Sequence, residues 1–146
     1  MENNWRSPKR HAGFLLPAIG RRVEHTWNRL LREYEMTNAD FTALAVLIEG
    51  PTSQVNLARG MSIDPRNAGA VVKRLQNRGW VVPRRDASDG RALRIELSGE
   101  GSAQWARIQE ILAFQRASQL AALTPEEIKE LERLLNKLND GAAWGQ

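Results

Sequence analysis

The apolar positions in the first third of the chain predict two helices. Between residues 13 and 35 they recur every three or four positions, which is typical of a helix with one buried stripe. Pro17 is expected in the first turn of this helix, where its missing N–H leaves no bond unmade. Residues 37–40, Thr-Asn-Ala-Asp, resemble a capping box and predict the start of a second helix, which Gly50-Pro51 would end. The stripe of the first helix consists of Leu16, Ile19, Val23, Trp27, Leu30 and Tyr34.

The next segment predicts two short helices joined by a tight turn. Ser53 can cap a third helix, and the turn lies near Ser62. Asp64 and Pro65 are the residue types favoured at the N-cap and first position of a helix, so a fourth helix is expected to run from there to Gly79. Two helices in this arrangement form a helix-turn-helix unit. The predicted inner stripe of the fourth helix is Ala68, Val71, Val72 and Leu75.

A β-hairpin is predicted directly after the fourth helix. Residues 80–85 indicate a short strand, which Pro83 confines to the edge of a sheet. Residues 86–91 are turn-forming types, and alternating apolar positions in residues 93–97 predict the returning strand. A long helix follows Ser98, with a first turn that Gly99 and Gly101 are expected to weaken, and a last helix begins at Thr124-Pro125. The fold class is therefore mainly α, an α+β winged helix.

Charge is concentrated in the middle of the chain. Among the 146 residues, 21 are Lys or Arg and 17 are Asp or Glu. Residues 53–97 hold nine of the basic side chains against only four acidic ones, so this segment carries the net positive charge. Such a basic segment is typical of a protein that binds nucleic acid, although a solvated surface could look the same.

The fourth helix has the division of faces that a DNA-reading helix requires. Its inner stripe would anchor it, while small, polar and basic residues occupy the other side. Arg66 can pair with guanine and Asn67 with adenine, and the small side chains would allow close approach to DNA. The alternative is a solvated face of an ordinary helical domain. The outer face consists of Arg66, Asn67, Gly69, Ala70, Lys73, Arg74 and Asn77.

The hairpin adds a basic wing beside this helix. Arg84, Arg85, Arg91 and Arg94 lie on or near its tip, and an arginine there could enter a narrow minor groove while others hold phosphates. Arg91 could instead form an ion pair with Asp89 or Asp64 that stiffens the wing. The sequence leaves both roles open.

These residues resemble the winged helix of the MarR family of bacterial transcription regulators. The similarity is carried by Leu57-Ala58, by the segment from Arg74 to Val81, and by Asp89-Gly90-Arg91 followed by Leu97-Ser98. The family usually has Thr at the last of these positions, and Ser keeps the capping hydroxyl. Residues 124–138 are similar to the family's last helix. The resemblance implies an obligate homodimer with intertwined first and last helices, which represses by binding palindromic operators and is usually released by a small ligand.

The resemblance also divides the chain. It implies one MarR-type domain over residues 1–146, with a DNA-binding lobe at 37–97 and dimerisation helices at 13–36 and 98–146. The outer helices carry more large apolar residues than one small lobe needs, which independently favours a dimer. The alternative is that these helices fold back onto their own lobe.

A small aromatic or phenolic ligand is a further expectation from the family. Arg22, His25, Trp27 and Phe41 could supply a carboxylate partner and aromatic stacking. The place of Trp27 on the apolar stripe favours a core role for this residue instead.

Several classes of function are excluded or disfavoured. The absence of cysteine excludes a disulfide scaffold, a thiolate nucleophile and peroxide sensing through a thiol. No catalytic motif is present, so no enzyme, cofactor or metal is expected, and no apolar segment approaches the roughly 20 residues of a membrane span. We therefore expect a cytoplasmic protein that binds double-stranded DNA and no membrane. The alternatives are an architectural, weakly specific DNA-binding protein and a protein-interaction module, against which the basic helix face argues.

Overall fold

The computed structural model describes residues 8–85, 88, 90 and 92–141, and it is mostly helical with one small sheet. This confirms the predicted mainly α, winged-helix fold class. After a short 3-10 turn at Pro8–Arg10, the elements are α1 (Ala12–Glu33), α2 (Asn38–Leu47), α3 (Gln54–Met61), α4 (Pro65–Asn77), β1 (Val81–Arg85), β2 (Leu93–Leu97), α5 (Gly99–Gln119) and α6 (Pro125–Gly141).

Side-chain caps start the helices where the sequence predicts them. At α2, Thr37 Oγ1 accepts a hydrogen bond from the Asp40 N–H at 3.1 Å, and the Asp40 carboxylate accepts one from the Thr37 N–H at 2.9 Å. Ser53 caps α3, and the Asp64 carboxylate accepts the Arg66 N–H at 2.8 Å to cap α4. A second capping box at Thr124 starts α6. Each cap satisfies donors that a helix start leaves without partners.

Three helices end in left-handed residues of the Schellman type. Glu35 (φ 50°) ends α1, Ser62 (φ 56°) ends α3, and Gly79 (φ 74°) ends α4. In each case the N–H of the following residue donates to the carbonyl five residues back, as the Trp80 N–H does to the Leu75 carbonyl at 3.0 Å. The prediction that Gly79 ends the fourth helix is confirmed.

Pro17 does not lie in the first turn of its helix, as the sequence predicted. α1 begins at Ala12 with His11 in extended conformation before it, so Pro17 is the sixth helical residue. Its missing N–H leaves the Gly13 carbonyl without its usual partner in the helix. Proline at a first helical position is a strong start indicator, but here the helix continues back past it.

The predicted hairpin is confirmed, with its strands at Val81–Arg85 and Leu93–Leu97. β1 and β2 are antiparallel, with Pro83 opposite Ile95 and Arg84 opposite Arg94. Thr52 exchanges two backbone hydrogen bonds with Ile95, so β2 is bonded on both sides and β1 is the edge strand. The position of Pro83 on an edge strand is therefore confirmed.

The chain forms two compact units, Met1–Ser102 and Ala103–Gln146. The core of the first comes from α2, α3, α4 and the hairpin, with Leu44, Leu57, Leu75 and Val81 almost completely buried. In the second, Ile108 of α5 is buried, whereas none of the residues of α6 is. The division into a lobe at 37–97 and flanking dimerisation helices remains a prediction.

Gly101 joins the start of α5 to the end of α4. Ser98 Oγ accepts the Gly101 N–H at 3.0 Å, which confirms the expected capping hydroxyl, and donates to the Gly79 carbonyl. The backbone of Trp80 lies so close to Gly101 that a Cβ there would collide with the Trp80 carbonyl oxygen. The sequence predicted only that Gly101 weakens the first turn of α5. The structure shows in addition that a side chain at this position would not fit.

Gly101→Ala is expected to destabilise the protein, and Gly99→Ala serves as the matched control. The collision with backbone forces α5 away from Trp80 and should lower the free energy of unfolding by about 1–3 kcal/mol. Among the described residues, nothing lies within 4 Å of a Cβ at Gly99. That substitution should be neutral or stabilising by less than about 1 kcal/mol. Urea unfolding followed by circular dichroism measures both, and equal stability of the two variants would contradict the contact.

Candidate nucleic-acid interface

Helix α4 has one buried face and one exposed face. Ala68, Val71, Val72 and Leu75 are all buried, which confirms the predicted inner stripe. On the opposite side Arg66, Asn67, Ala70 and Lys73 are exposed. Four of the predicted DNA-binding residues therefore share one accessible surface.

Gly69 has a different role from the one predicted. It is half-buried, and a Cβ on it would lie 2.9 Å from Nε2 of Gln54 in α3. The same Gln54 nitrogen donates to the Pro65 carbonyl at 3.2 Å. Gly69 therefore allows close approach of α3 to α4 rather than of α4 to DNA.

Arg74 lies at the edge of the exposed face, but its guanidinium is bound to protein. Nη2 and Nε donate to Oδ1 of Asp40 at 2.6 and 3.1 Å, and Nη2 lies 3.4 Å from Thr37 Oγ1. The Asp40 residue is 2% exposed, whereas the Arg74 side chain is 46% exposed. Arg74 thus connects α4 to the first turn of α2, a role that the sequence analysis did not assign to it.

Arg78 was counted as part of the basic segment, but it is a structural residue. Its Nη1 donates to the Glu35 carbonyl at 2.6 Å and its Nη2 to the Tyr34 carbonyl at 3.0 Å. The guanidinium also lies over the Trp80 ring, 3.7 Å from the ring centre. It satisfies carbonyls at the end of α1, where a cation also complements the helix dipole. Its position one turn after Arg74 was the only sequence feature that could have indicated a shared role.

The hairpin presents arginines on its exposed surface. Arg84 lies directly opposite Arg94, and Arg84 forms an ion pair with Glu96 at 3.0 Å. Like charges opposite each other are unfavourable, and the Glu96 carboxylate offsets part of this repulsion. Arg85 is exposed and donates to the Gly90 carbonyl at 3.0 Å. Arg91 and Asp89 lie outside the described residues, so both proposed roles of Arg91 remain predictions.

The candidate ligand residues form two separate pairs. Trp27 and Phe41 make an edge-to-face contact with ring centres 4.6 Å apart, and Trp27 Nε1 donates to Asn38 Oδ1 at 3.2 Å. Both rings are half-buried. Arg22 and His25, with Ala18, Arg21 and Thr26, line an open groove of about 600 Å³ along α1. In the described part of the chain, the cavities we find do not contain all four residues.

No group of three or more His, Asp or Glu side chains in the described part of the chain could hold a metal ion. No helix in that part of the chain is both long enough and apolar enough to cross a bilayer.

Comparisons with known proteins agree with the fold. The sequence profile of the MarR family matches residues 34–92. The HTH-type transcriptional repressor Rv2887 of Mycobacterium tuberculosis is 30% identical over 127 residues, which cover 86% of this chain and 91% of the relative. A MarR family protein from Bacillus stearothermophilus is 27% identical, with a TM-score of 0.76 over 87% of this chain and 89% of its own. A mutant of S. aureus MepR bound to an oligodeoxyribonucleotide is 17% identical, with a TM-score of 0.70 over 90% and 97% of the two chains, and shows the fold alone.

Arg78→Ala is expected to reduce stability, with Lys73→Ala on the same helix as control. The first variant loses two charged hydrogen bonds and the contact with Trp80. It should lower the free energy of unfolding by about 2–4 kcal/mol. Lys73 is exposed, and its removal should change stability by less than about 0.5 kcal/mol. Chemical unfolding of both variants tests this, and a stability of Arg78→Ala close to that of Lys73→Ala would refute the structural role.

Proposed function

Since this chain belongs to the MarR family of DNA-binding transcription regulators, we propose that it is a sequence-specific repressor that binds a palindromic operator as a homodimer. The family and these relatives are regulators, which confirms the expectation that the chain is not an enzyme. The relative from M. tuberculosis is named a transcriptional repressor, and this name supports repression for the present chain.

The exposed face of α4 is the observation that carries this proposal. Its buried stripe anchors the helix. The other side presents Arg66 and Asn67 at the start of the helix and Lys73 about two turns later. Arg66 can donate two hydrogen bonds to guanine, and Asn67 can bond adenine through its amide. Lys73 would contact a phosphate and Ala70 would leave room for the groove wall. These residues would act while α4 lies in the major groove.

The hairpin would act as the wing. Arg84 and Arg85 are exposed and lie on the strand that follows α4, so they can reach phosphates beside the groove that α4 occupies. We assign Arg91 to the same wing as a proposal from the sequence alone. Arg74, predicted to read DNA, is better explained by its ion pair with Asp40.

The proposal of a homodimer is supported by unpartnered apolar surface. On α1, Leu16, Ile19 and Val23 belong to the stripe that the sequence predicted to be buried, yet they are 41–53% exposed, and Phe14 and Leu15 beside them are 47% and 41% exposed. On α6, Leu134, Leu135 and Leu138 are 41–49% exposed. Faces of this kind are typical of obligate dimers, whose interfaces resemble a divided core. In a symmetric dimer each protomer would read one half-site, with centres about 10 bp or a multiple of that apart.

We also propose a small aromatic acid as the ligand that regulates DNA binding. The groove on α1 is lined by Arg21, Arg22 and His25, which suit a carboxylate. Trp27 and Phe41 are held against each other and Asn38 and do not line this groove, so the proposal for the ligand rests on the cationic residues of α1.

Binding to selected operator fragments and to scrambled DNA separates sequence reading from phosphate contact. Asn67→Ala should weaken operator binding by about 1–3 kcal/mol and leave scrambled DNA nearly unchanged, because a lost base contact affects only the cognate sequence. Lys73→Ala should weaken both and reduce the slope of log K against log salt concentration by about 0.9, because one phosphate contact is lost. Fluorescence anisotropy at several salt concentrations measures each value.

Wild-type protein decides between this proposal and an architectural DNA-binding protein. A specific regulator should prefer its operator to scrambled DNA by about 10³-fold or more at physiological salt. A ratio of operator affinity to scrambled-DNA affinity near one would favour the architectural alternative. If Asn67→Ala weakens binding to both duplexes equally, Asn67 does not read the sequence.

Ile19→Glu should dissociate the proposed dimer, with Val55→Glu as the matched control. A charge in a buried apolar interface should weaken association by about 100-fold or more. Val55 is equally exposed but lies on α3, so its substitution should leave the dimer intact. Sedimentation equilibrium from nanomolar to micromolar concentration gives both constants. A monomeric wild-type protein, or equal behaviour of the two variants, would contradict the proposed interface.

A further inference from the structure

The side chains of two arginines at the end of α4 bind residues at the junction of α1 and α2. Arg74 and Arg78 are four residues apart, so they lie on the same side of α4. Arg78 binds the carbonyls of the two residues directly after α1, and Arg74 binds Asp40 in the first turn of α2. The rotation of α4 about its own axis is therefore fixed by polar contacts at two points, in addition to its apolar stripe.

The Asp40 carboxylate serves two helices at once. Its Oδ2 accepts the Thr37 N–H at the start of α2, and its Oδ1 accepts both Nε and Nη2 of Arg74. A carboxylate that is 2% exposed must be paired, because an unpaired charge is very unfavourable in the interior. This requirement holds the Arg74 guanidinium inward even though half of its side chain is exposed.

The same turn of α2 also contacts α1. Asn38 accepts a hydrogen bond from Trp27, and Phe41 packs against the Trp27 ring. The position of α4 relative to α1, the helix that we assign to the dimer interface, is therefore fixed through α2. In a symmetric dimer these contacts would set the distance and the angle between the two α4 helices.

We propose that Asp40 is a positioning residue for operator recognition, which acts through Arg74 and makes no contact with DNA. This inference rests on the proposed function. A rotation of α4 by about 10° would move side chains at its surface by about 1 Å, whereas recognition tolerates misplacement of only about 0.5 Å. Asn67 lies two turns before Arg74, so its reach to a base edge depends on this rotation. Nonspecific binding depends on net charge and much less on helix orientation.

The experiment compares Asp40→Asn, Arg74→Met and the double variant with wild type. Operator and scrambled duplexes are titrated at several salt concentrations, at a temperature where circular dichroism shows each variant to be folded. We expect each single variant to lose operator affinity by about tenfold or more. Because both substitutions break the same contact, the double variant should lose no more than the weaker-binding single variant. The salt slope should stay at the wild-type value in all three, since no phosphate contact is removed.

Two further variants serve as controls. Lys73→Ala has one positive charge fewer, as Arg74→Met does, but should lower the salt slope by about 0.9 and weaken binding to both duplexes. Arg74→Lys keeps the charge and changes only the donor geometry, so positioning through Asp40 predicts that it still loses operator affinity. A phosphate contact predicts that the lysine restores it.

The outcomes separate the inference from the proposed function. If Arg74→Met lowers the salt slope while Asp40→Asn binds like wild type, then Arg74 contacts DNA and the inference is wrong. Unchanged operator affinity in the Asp40 and Arg74 variants would also overturn the inference, and the proposed function would remain intact. If Asp40→Asn does not fold, the two Arg74 variants still decide. A wild-type protein that binds no duplex refutes the proposed function, and the inference fails with it.

Discussion

The buried carboxylate of Asp40 is the constraint on which the arrangement of the first unit depends. It closes the capping box that starts α2, and its charge requires the Arg74 guanidinium of α4 as partner. Because a single side chain satisfies both needs, the start of α2 and the rotation of α4 cannot vary independently. Arg78 adds a second connection, to the carbonyls at the end of α1. Polar contacts of Asp40, Arg74 and Arg78 therefore join the three helices at one corner beside the apolar core.

This corner changes how the basic segment is understood. Nine Lys and Arg side chains between residues 53 and 97 suggest a broad positive surface, but Arg74 and Arg78 are bound to acceptors of the protein. The cations of α4 that remain exposed away from this corner are Arg66 and Lys73. Charge composition therefore overstates the number of cations that are available to an external anion, because arginine also satisfies buried carboxylates and helix carbonyls. The exposed surface proposed to bind DNA is correspondingly narrower, and Arg74 and Arg78 help to fix the helix that carries it.

Backbone contacts fix the position of strands β1 and β2 beside α4. Gly79 turns the chain in the left-handed region, and Gly101 brings the start of α5 against the Trp80 backbone, so both ends of the hairpin are attached to α4 or the residues after it. Thr52 bonds the outer side of β2. Exposed apolar residues remain on α1, where the hydrophobic pattern predicted burial, and on α6. In the proposed dimer, a second copy of the chain would cover these residues.

The sequence by itself determined the local features: the capping residues of α2, α3, α4 and α6, the inner stripe of α4, the end of that helix at Gly79 and the pairing of the hairpin. These features follow from neighbouring residues and from helical or strand periodicity, so a single segment contains all the information. The prediction that Pro17 lies in the first turn was wrong, because proline favours a helix start locally whereas the helix continues back to Ala12. Only the tertiary structure decided that Arg74 and Arg78 point inward, that Gly69 faces Gln54 and that Gly101 touches Trp80. Each of these depends on residues distant in sequence, and the two arginines bind partners 34 to 44 positions away. Periodicity identifies an exposed face without showing which partner lies beside it.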